Sequence, residues 1–175
     1  MGIILAYGDY RGTHTCRDPR AHADERMRHA RVSRAGQNRA MDQVAEIGSV
    51  GVSITFGCAH RQPSGAVELL DVNVRDKDLQ AGKSVYEGYS DGFELLARFF
   101  EDLAASWRGW IGERVYESIE HDLRLVATHD GHVRLRVRLW QSADPDGWTV
   151  ETVVVLDAGE QLSQAARDIA SVVRS

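Results

Sequence analysis

The run Asp130-Gly131-His132-Val133-Arg134-Leu135-Arg136-Val137-Arg138-Leu139-Trp140 alternates apolar and polar residues without a break. Successive side chains of a β-strand point to opposite faces. Val133, Leu135, Val137 and Leu139 therefore face a core, while Arg134, Arg136, Arg138 and Trp140 face away from it. The Asp-Gly pair ahead of the run predicts a two-residue hairpin of type I′, with positive φ at both central residues. Its antiparallel partner lies upstream in Arg114 to Thr128, where Leu123, Leu125 and Ala127 share one face and a bend falls near His121 and Asp122. Downstream, Asp144-Pro145-Asp146-Gly147 supplies turn residues, and Trp148 to Leu156 returns as a strand rich in Val and Thr.

Two amphipathic helices flank these three strands. Phe93, Leu96, Ala97, Phe100, Leu103, Ala104 and Trp107 recur at helical spacing and draw one apolar stripe from about Asp91 to Trp107. Asp91 with Glu94 predicts a capping box at its start, and Gly109 a stop after its end. Leu162, Ala165, Ala166, Ile169, Val172 and Val173 form the second stripe, with Asp157 and Glu160 as its capping box. Nearer the N-terminus, Val50 to Phe56 alternates as a strand. Residues 61–65 turn, Ala66 to Val74 returns as a second strand, and Ser84 to Tyr89 is a candidate third. Strands joined by hairpins with two amphipathic helices predict an α+β fold: an antiparallel sheet of five to six strands with both helices packed on one face.

The 175 residues are 43% hydrophobic and 27% charged, an ordinary globular composition. The net charge of -5 conceals an asymmetry, because residues 1–45 hold eight arginines and five acids while the remainder holds 13 basic and 21 acidic residues. Residues 1–45 read as a flexible, Arg-rich segment with too few large apolar side chains to offset the entropy of ordering. Residues 46–175 read as a single α+β domain, and Met41 is an alternative start for the natural chain. Nucleic acid is disfavoured as a partner, since acids interrupt the arginines of the first segment and the domain itself is acidic. No apolar run reaches the roughly 18–20 residues of a membrane span, and no secretory signal pattern is present. Cys16 and Cys58 lack metal spacing, which points to a reduced, cytoplasmic chain. Phosphate loops, nucleophile elbows and zinc-protease histidine pairs do not occur, so no cofactor is expected.

Two groups of residues could carry function. Arg134, Arg136 and Arg138 project from one strand face about 6–7 Å apart, a spacing suited to phosphates or to an acidic protein surface, and Arg124 could extend the row. As plain solvated side chains they would instead pair with Glu117, Glu120 or Glu151 for ~0.2–1 kcal/mol each. The turn Trp107-Arg108-Gly109-Trp110 offers an aromatic wall around Arg108 for a partner. With Glu113, Glu117 and Glu120 it outlines an alternative pocket for a small molecule or for acid/base chemistry. His121, His129 and His132 do not supply three converging ligands by spacing alone, so no metal is expected.

From Phe93 onward the chain resembles a family of small actinobacterial proteins of unknown function. The likeness rests on Trp107-Arg108-Gly109-Trp110 with Glu113, on residues 122–125, on residues 131–135, on Gly147-Trp148-Thr149-Val150, and on Leu156-Asp157-Ala158-Gly159-Glu160-Gln161-Leu162. Tyr116 stands where the pattern leads one to expect Trp. The resemblance implies a shared fold and no catalytic residue. With no assembled catalytic constellation, the expected function is a non-enzymatic protein-binding module of the immunity or accessory type. The alternative is a small-molecule-binding protein or enzyme with its pocket at the Trp107/Trp110 turn.

Overall fold

Eight strands and two helices make up a computed structural model of the chain, which describes residues 43–49, 51–88, 91–141 and 147–175. The strands are β1 (Val44–Ser49), β2 (Val52–Arg61), β3 (Val67–Asp76), β4 (Leu79–Tyr86), β5 (Arg114–Glu117), β6 (Leu123–His129), β7 (His132–Trp140) and β8 (Thr149–Asp157). Helix α1 (Glu94–Ala105) separates β4 from β5, and α2 (Glu160–Arg174) follows β8. The expectation of flexibility for residues 1–45 falls, as far as residue 42, outside the described residues.

The expected single sheet of five to six strands is instead two four-stranded sheets, ordered β1-β2-β3-β4 and β5-β6-β7-β8. Every pairing is antiparallel and joins consecutive strands. Local alternation identifies each strand equally well in either arrangement; what divides them is α1, inserted between the two meanders. The helices do not simply cover one sheet. Helix α2 packs against β1, β2, β8 and α1, while α1 packs against β5 and α2.

One hydrophobic core joins both sheets and both helices. Ile47, Ile54, Phe56, Leu70, Val72, Val74 and Val85 come from the first sheet, and Leu123, Leu125, Leu135, Val137, Leu139, Val154 and Leu156 from the second; all are at most 2% exposed. The predicted α2 stripe is buried in full. The α1 stripe is buried as far as Leu103, but the helix ends at Ala105, and Trp107 lies beyond it with 44% exposure.

Neither predicted capping box forms. The N-cap of α1 is Phe93 and that of α2 is Gly159, neither making a side-chain cap. Glu94 and Glu160 are thus the first helical residues rather than third-position partners. Arg98 and Arg174 engage the Glu94 carboxylate, and Gln161 Oε1 accepts from the Asp157 amide at 2.7 Å. Gly92 admits the chain to α1 at φ +49, where a Cβ would collide with the Val67 carbonyl oxygen. The far end of α2 is held by arginines. Irregularities at Ala59 of β2 and at Glu68 of β3 offset one another at the end of this pair, and Arg61 donates to the Val172 and Val173 carbonyls at 2.5 and 2.9 Å. These are C-terminal carbonyls without a partner inside the helix. Arg174 reaches from α2 to Glu94 and Glu101 of α1, and its Glu94 partner is held below the usual carboxylate range by that bond.

The bend expected near His121 is a full chain reversal. The Ser118 hydroxyl accepts from the Asp122 and Leu123 amides at 3.1 and 3.0 Å, and His121 takes φ +55, so one predicted strand becomes β5 and β6. The hairpin at Asp130-Gly131 forms as expected, with two residues between β6 and β7. Its type is not I′, however: Gly131 has φ +106, and Asp130 is not among the residues of positive φ. The Asp130 side chain accepts from the His132 amide and from Arg134 Nε, which favours its ordinary backbone conformation. Among the described residues no helix is long and apolar enough to cross a membrane.

Candidate functional site

The outward face of the second sheet is set by register. Arg138 lies opposite Arg124 on β6 and Glu151 on β8, Arg136 opposite Val126 and Val153, and Arg134 opposite Thr128 and Val155. Val115 and Glu117 of β5 continue the rows beside Val126 and Arg124. The face therefore carries an ionic row, Glu117-Arg124-Arg138-Glu151, next to a mostly aliphatic row, Val115-Val126-Arg136-Val153.

Within the ionic row, Arg138 pairs with Glu151 at 2.6 Å and Arg124 with Glu117 at 3.7 Å, and the Arg138 guanidinium lies 5.4 Å from the Trp140 ring centre. Arg134 pairs with Asp130 at 2.7 Å, which holds that carboxyl below its ordinary range. Among the described residues Arg136 makes neither a hydrogen bond nor an ion pair, although it is exposed. Val126 beneath this layer is 8% exposed, whereas Val115, Val153 and Val155 remain 47%, 42% and 39% exposed. Two hollows of about 220 Å³ flank Arg136, one toward Arg124, Arg138, Glu113 and Glu151, the other toward Thr128, Arg134 and Val153.

The tryptophan turn does not form one wall. The Arg108 guanidinium lies 4.6 Å over the exposed Trp107 ring. Trp110 turns inward, between the Arg114 guanidinium at 4.7 Å and the His129 ring at 5.1 Å, and its Nε1 is buried without an acceptor. Nor do the three glutamates converge on this turn. Glu113 borders the hollow beside Arg136, Glu117 meets His121 at 3.1 Å as well as Arg124, and Glu120 is exposed in the β5–β6 turn. The three histidines are likewise dispersed, His121 to Glu117, His129 to Trp110, and His132 to Asp157 at 3.6 Å. No group of three metal-ligating side chains occurs among the described residues. An open groove of about 870 Å³ lies between α1 and β5, bordered by Leu95, Arg98, Phe99, Asp102, Val115 and Tyr116.

A polar seam between the sheets went unread in the sequence. Lys83 faces inward on β4, level with Val72 and between Ala81 and Val85. Its Nζ meets Asp122 Oδ2 at 2.5 Å and donates to the Gln141 carbonyl at 3.0 Å. Ser118 Oγ donates to Asp122 Oδ1 at 2.7 Å. With that hydroxyl fully engaged and the ammonium paired, the trio clamps the sheets and offers no free nucleophile or base. The alternation of Ala81, Lys83 and Val85 was the available signal. Beside the trio, Glu87 accepts from the Tyr116 hydroxyl at 3.0 Å and from the Ile119 amide at 3.3 Å. Burial pushes the Glu87 carboxyl up against the lowering effect of those bonds, and burial followed by the charge of Glu87 raises the Tyr116 phenol.

An acid raised on folding contributes its stability below its unfolded pKa and loses it as pH rises through the folded value. Glu87→Gln keeps an acceptor for Tyr116 and Ile119 but cannot ionise. Its stability relative to the parent chain is expected to increase as pH rises from about 4 to about 8, as read from urea melts. A difference that does not change with pH would sink the assignment.

Comparison with curated proteins and with solved structures returned no match. Residues 45–175, well over half of the sequence, match a family described as a family of unknown function (DUF6228), and the chain belongs to that family.

Proposed function

We propose that this protein is a non-enzymatic protein-binding module, of the immunity or accessory type, whose binding surface is the outward face of the β5–β8 sheet. The observation that carries the reading is Arg136: an exposed guanidinium without a carboxylate partner among the described residues, set between buried Val126 and exposed Val153. Its neighbours Arg134 and Arg138 are both paired. Binding surfaces favour arginine over an apolar floor, because the guanidinium supplies directional hydrogen bonds while aliphatic area leaves water. The engaged state of Ser118, Lys83 and Asp122 and the dispersal of Glu113, Glu117 and Glu120 further support binding over catalysis. Trp107, capped by Arg108, adds an exposed aromatic anchor of the kind found at such surfaces; Trp110, drawn into the fold, contributes packing.

The test is capture of partners from the native cell with the parent chain and with the Arg134→Glu, Arg136→Glu, Arg138→Glu triple variant. Loss of specifically retained proteins is expected. Arg136→Glu alone, which breaks no ion pair, should weaken the same retention while leaving the thermal melt within about 0.5 kcal/mol of the parent. An unchanged set of retained proteins with both variants would count against this face.

A further inference from the structure

We propose that Arg136 seats a single carboxylate from a partner protein, carried on an acidic segment in which one Asp or Glu is flanked by aliphatic side chains. The proposal rests on the protein-binding reading above and specifies the chemistry of the partner. Across the sheet the sequence of side chains is Val126, Arg136, Val153, with neighbouring strands about 4.8 Å apart. A segment crossing the strands therefore passes over nearly buried Val126, then meets the guanidinium and then exposed Val153. Along β7, by contrast, Arg134 and Arg138 already hold Asp130 and Glu151. Among the described residues the face thus presents one unsatisfied positive group, not a row of three.

Its surroundings select against a polyanion. Glu113 and Glu151 border the hollow on one side of Arg136, and Glu117 lies beyond Arg124. Repeated phosphates would meet these carboxylates, whereas a lone carboxylate between apolar side chains would meet the guanidinium and exposed Val153. Arginine binds a carboxylate through two parallel hydrogen bonds, and charge-assisted bonds of this kind are stronger than neutral ones.

The full chain is titrated with acetyl-Ser-Val-Glu-Val-Ser-amide, with its Glu-to-Gln counterpart and with a ten-nucleotide oligothymidylate, following the arginine Nε–Hε resonances by NMR. The Glu peptide is expected to shift the Arg136 resonance in a saturable way. The Gln peptide should bind about tenfold more weakly, and Arg136→Gln should weaken the Glu peptide by a similar factor. Arg75→Gln, on the first sheet, should leave the titration unchanged. Equal binding of the two peptides, insensitivity to Arg136→Gln, or tighter binding of the oligonucleotide at Arg136 would overturn the proposal. If the triple variant loses its cellular partners while the Glu peptide leaves Arg136 unmoved, the acidic-segment proposal fails and the protein-binding reading stands.

Discussion

Asp122→Ala is expected to lower the unfolding free energy by about 3 kcal/mol, the lower end of the range for removing one member of a buried ion pair. The lower end applies because the Lys83 side chain keeps 17% exposure against 7% for Asp122, so water partly compensates the stranded ammonium. The substitution also strands the Ser118 hydroxyl, whose proton is directed at Asp122 Oδ1. Lys83→Met leaves the carboxylate alone and should cost a comparable amount. The double variant Lys83→Met, Asp122→Ala carries neither charge of the pair and so strands none, and its cost should fall well below the sum of the two single costs. Chemical denaturation of the four chains completes the cycle. Additive costs would mean that the two sheets are not joined through this pair.

That clamp also explains which aspects of the fold the sequence could reveal. Strand β7 is legible because every second residue is buried, and period two in the sequence is then a direct image of one buried face. The same alternation is silent about which strands share a sheet. Two four-stranded meanders and one longer sheet use the same hairpins. The difference is visible only where inward polar groups find partners across the gap, as Lys83 finds Asp122 and as Thr152 donates to Asp76 at 2.6 Å. Strand β1 escaped notice for a different reason. Only Ala45 and Ile47 of its six residues face the core, too weak a pattern to stand out beside an arginine-rich segment.

The candidate site divides along the same line. That Arg134, Arg136 and Arg138 share a face follows from spacing alone. That Arg136 lacks a carboxylate follows from register, since β8 sets Glu151 opposite Arg138 but Val153 opposite Arg136; a slip of two residues would change which arginine is paired. At the tryptophan turn, proximity in sequence misled. Trp107 and Trp110 sit on either side of Gly109, whose φ of +124 turns the chain between them, so that one ring is exposed and the other meets Arg114 and His129.

Phe100→Ala is expected to cost about 3–5 kcal/mol, the range for truncating a buried phenylalanine, and to weaken both sheets together. Phe100 is fully buried on α1. Its ring meets Phe56 of β2 edge-on, with centroids 6.3 Å apart, and Phe99 at 5.3 Å. Phe99 in turn lies 6.2 Å from Tyr116 of β5. Four rings thus run from the first sheet through α1 to the second, the first two contacts edge-to-face and the Phe99–Tyr116 contact tilted, all at centroid distances where aromatic pairs add to simple area burial. A cavity at Phe100 removes the link that touches the first sheet and loosens the support of the ring that touches the second. All four tryptophans lie between residues 107 and 148, so their fluorescence reports the half of the chain that holds the second sheet, while amide exchange in β2 and β3 reports the first. Coincident loss of both signals at one lowered denaturant midpoint is the expected result, as for a two-state domain with a shared core. If the fluorescence midpoint stayed at its parental value while β2 and β3 lost protection, the two sheets would be separate cooperative units.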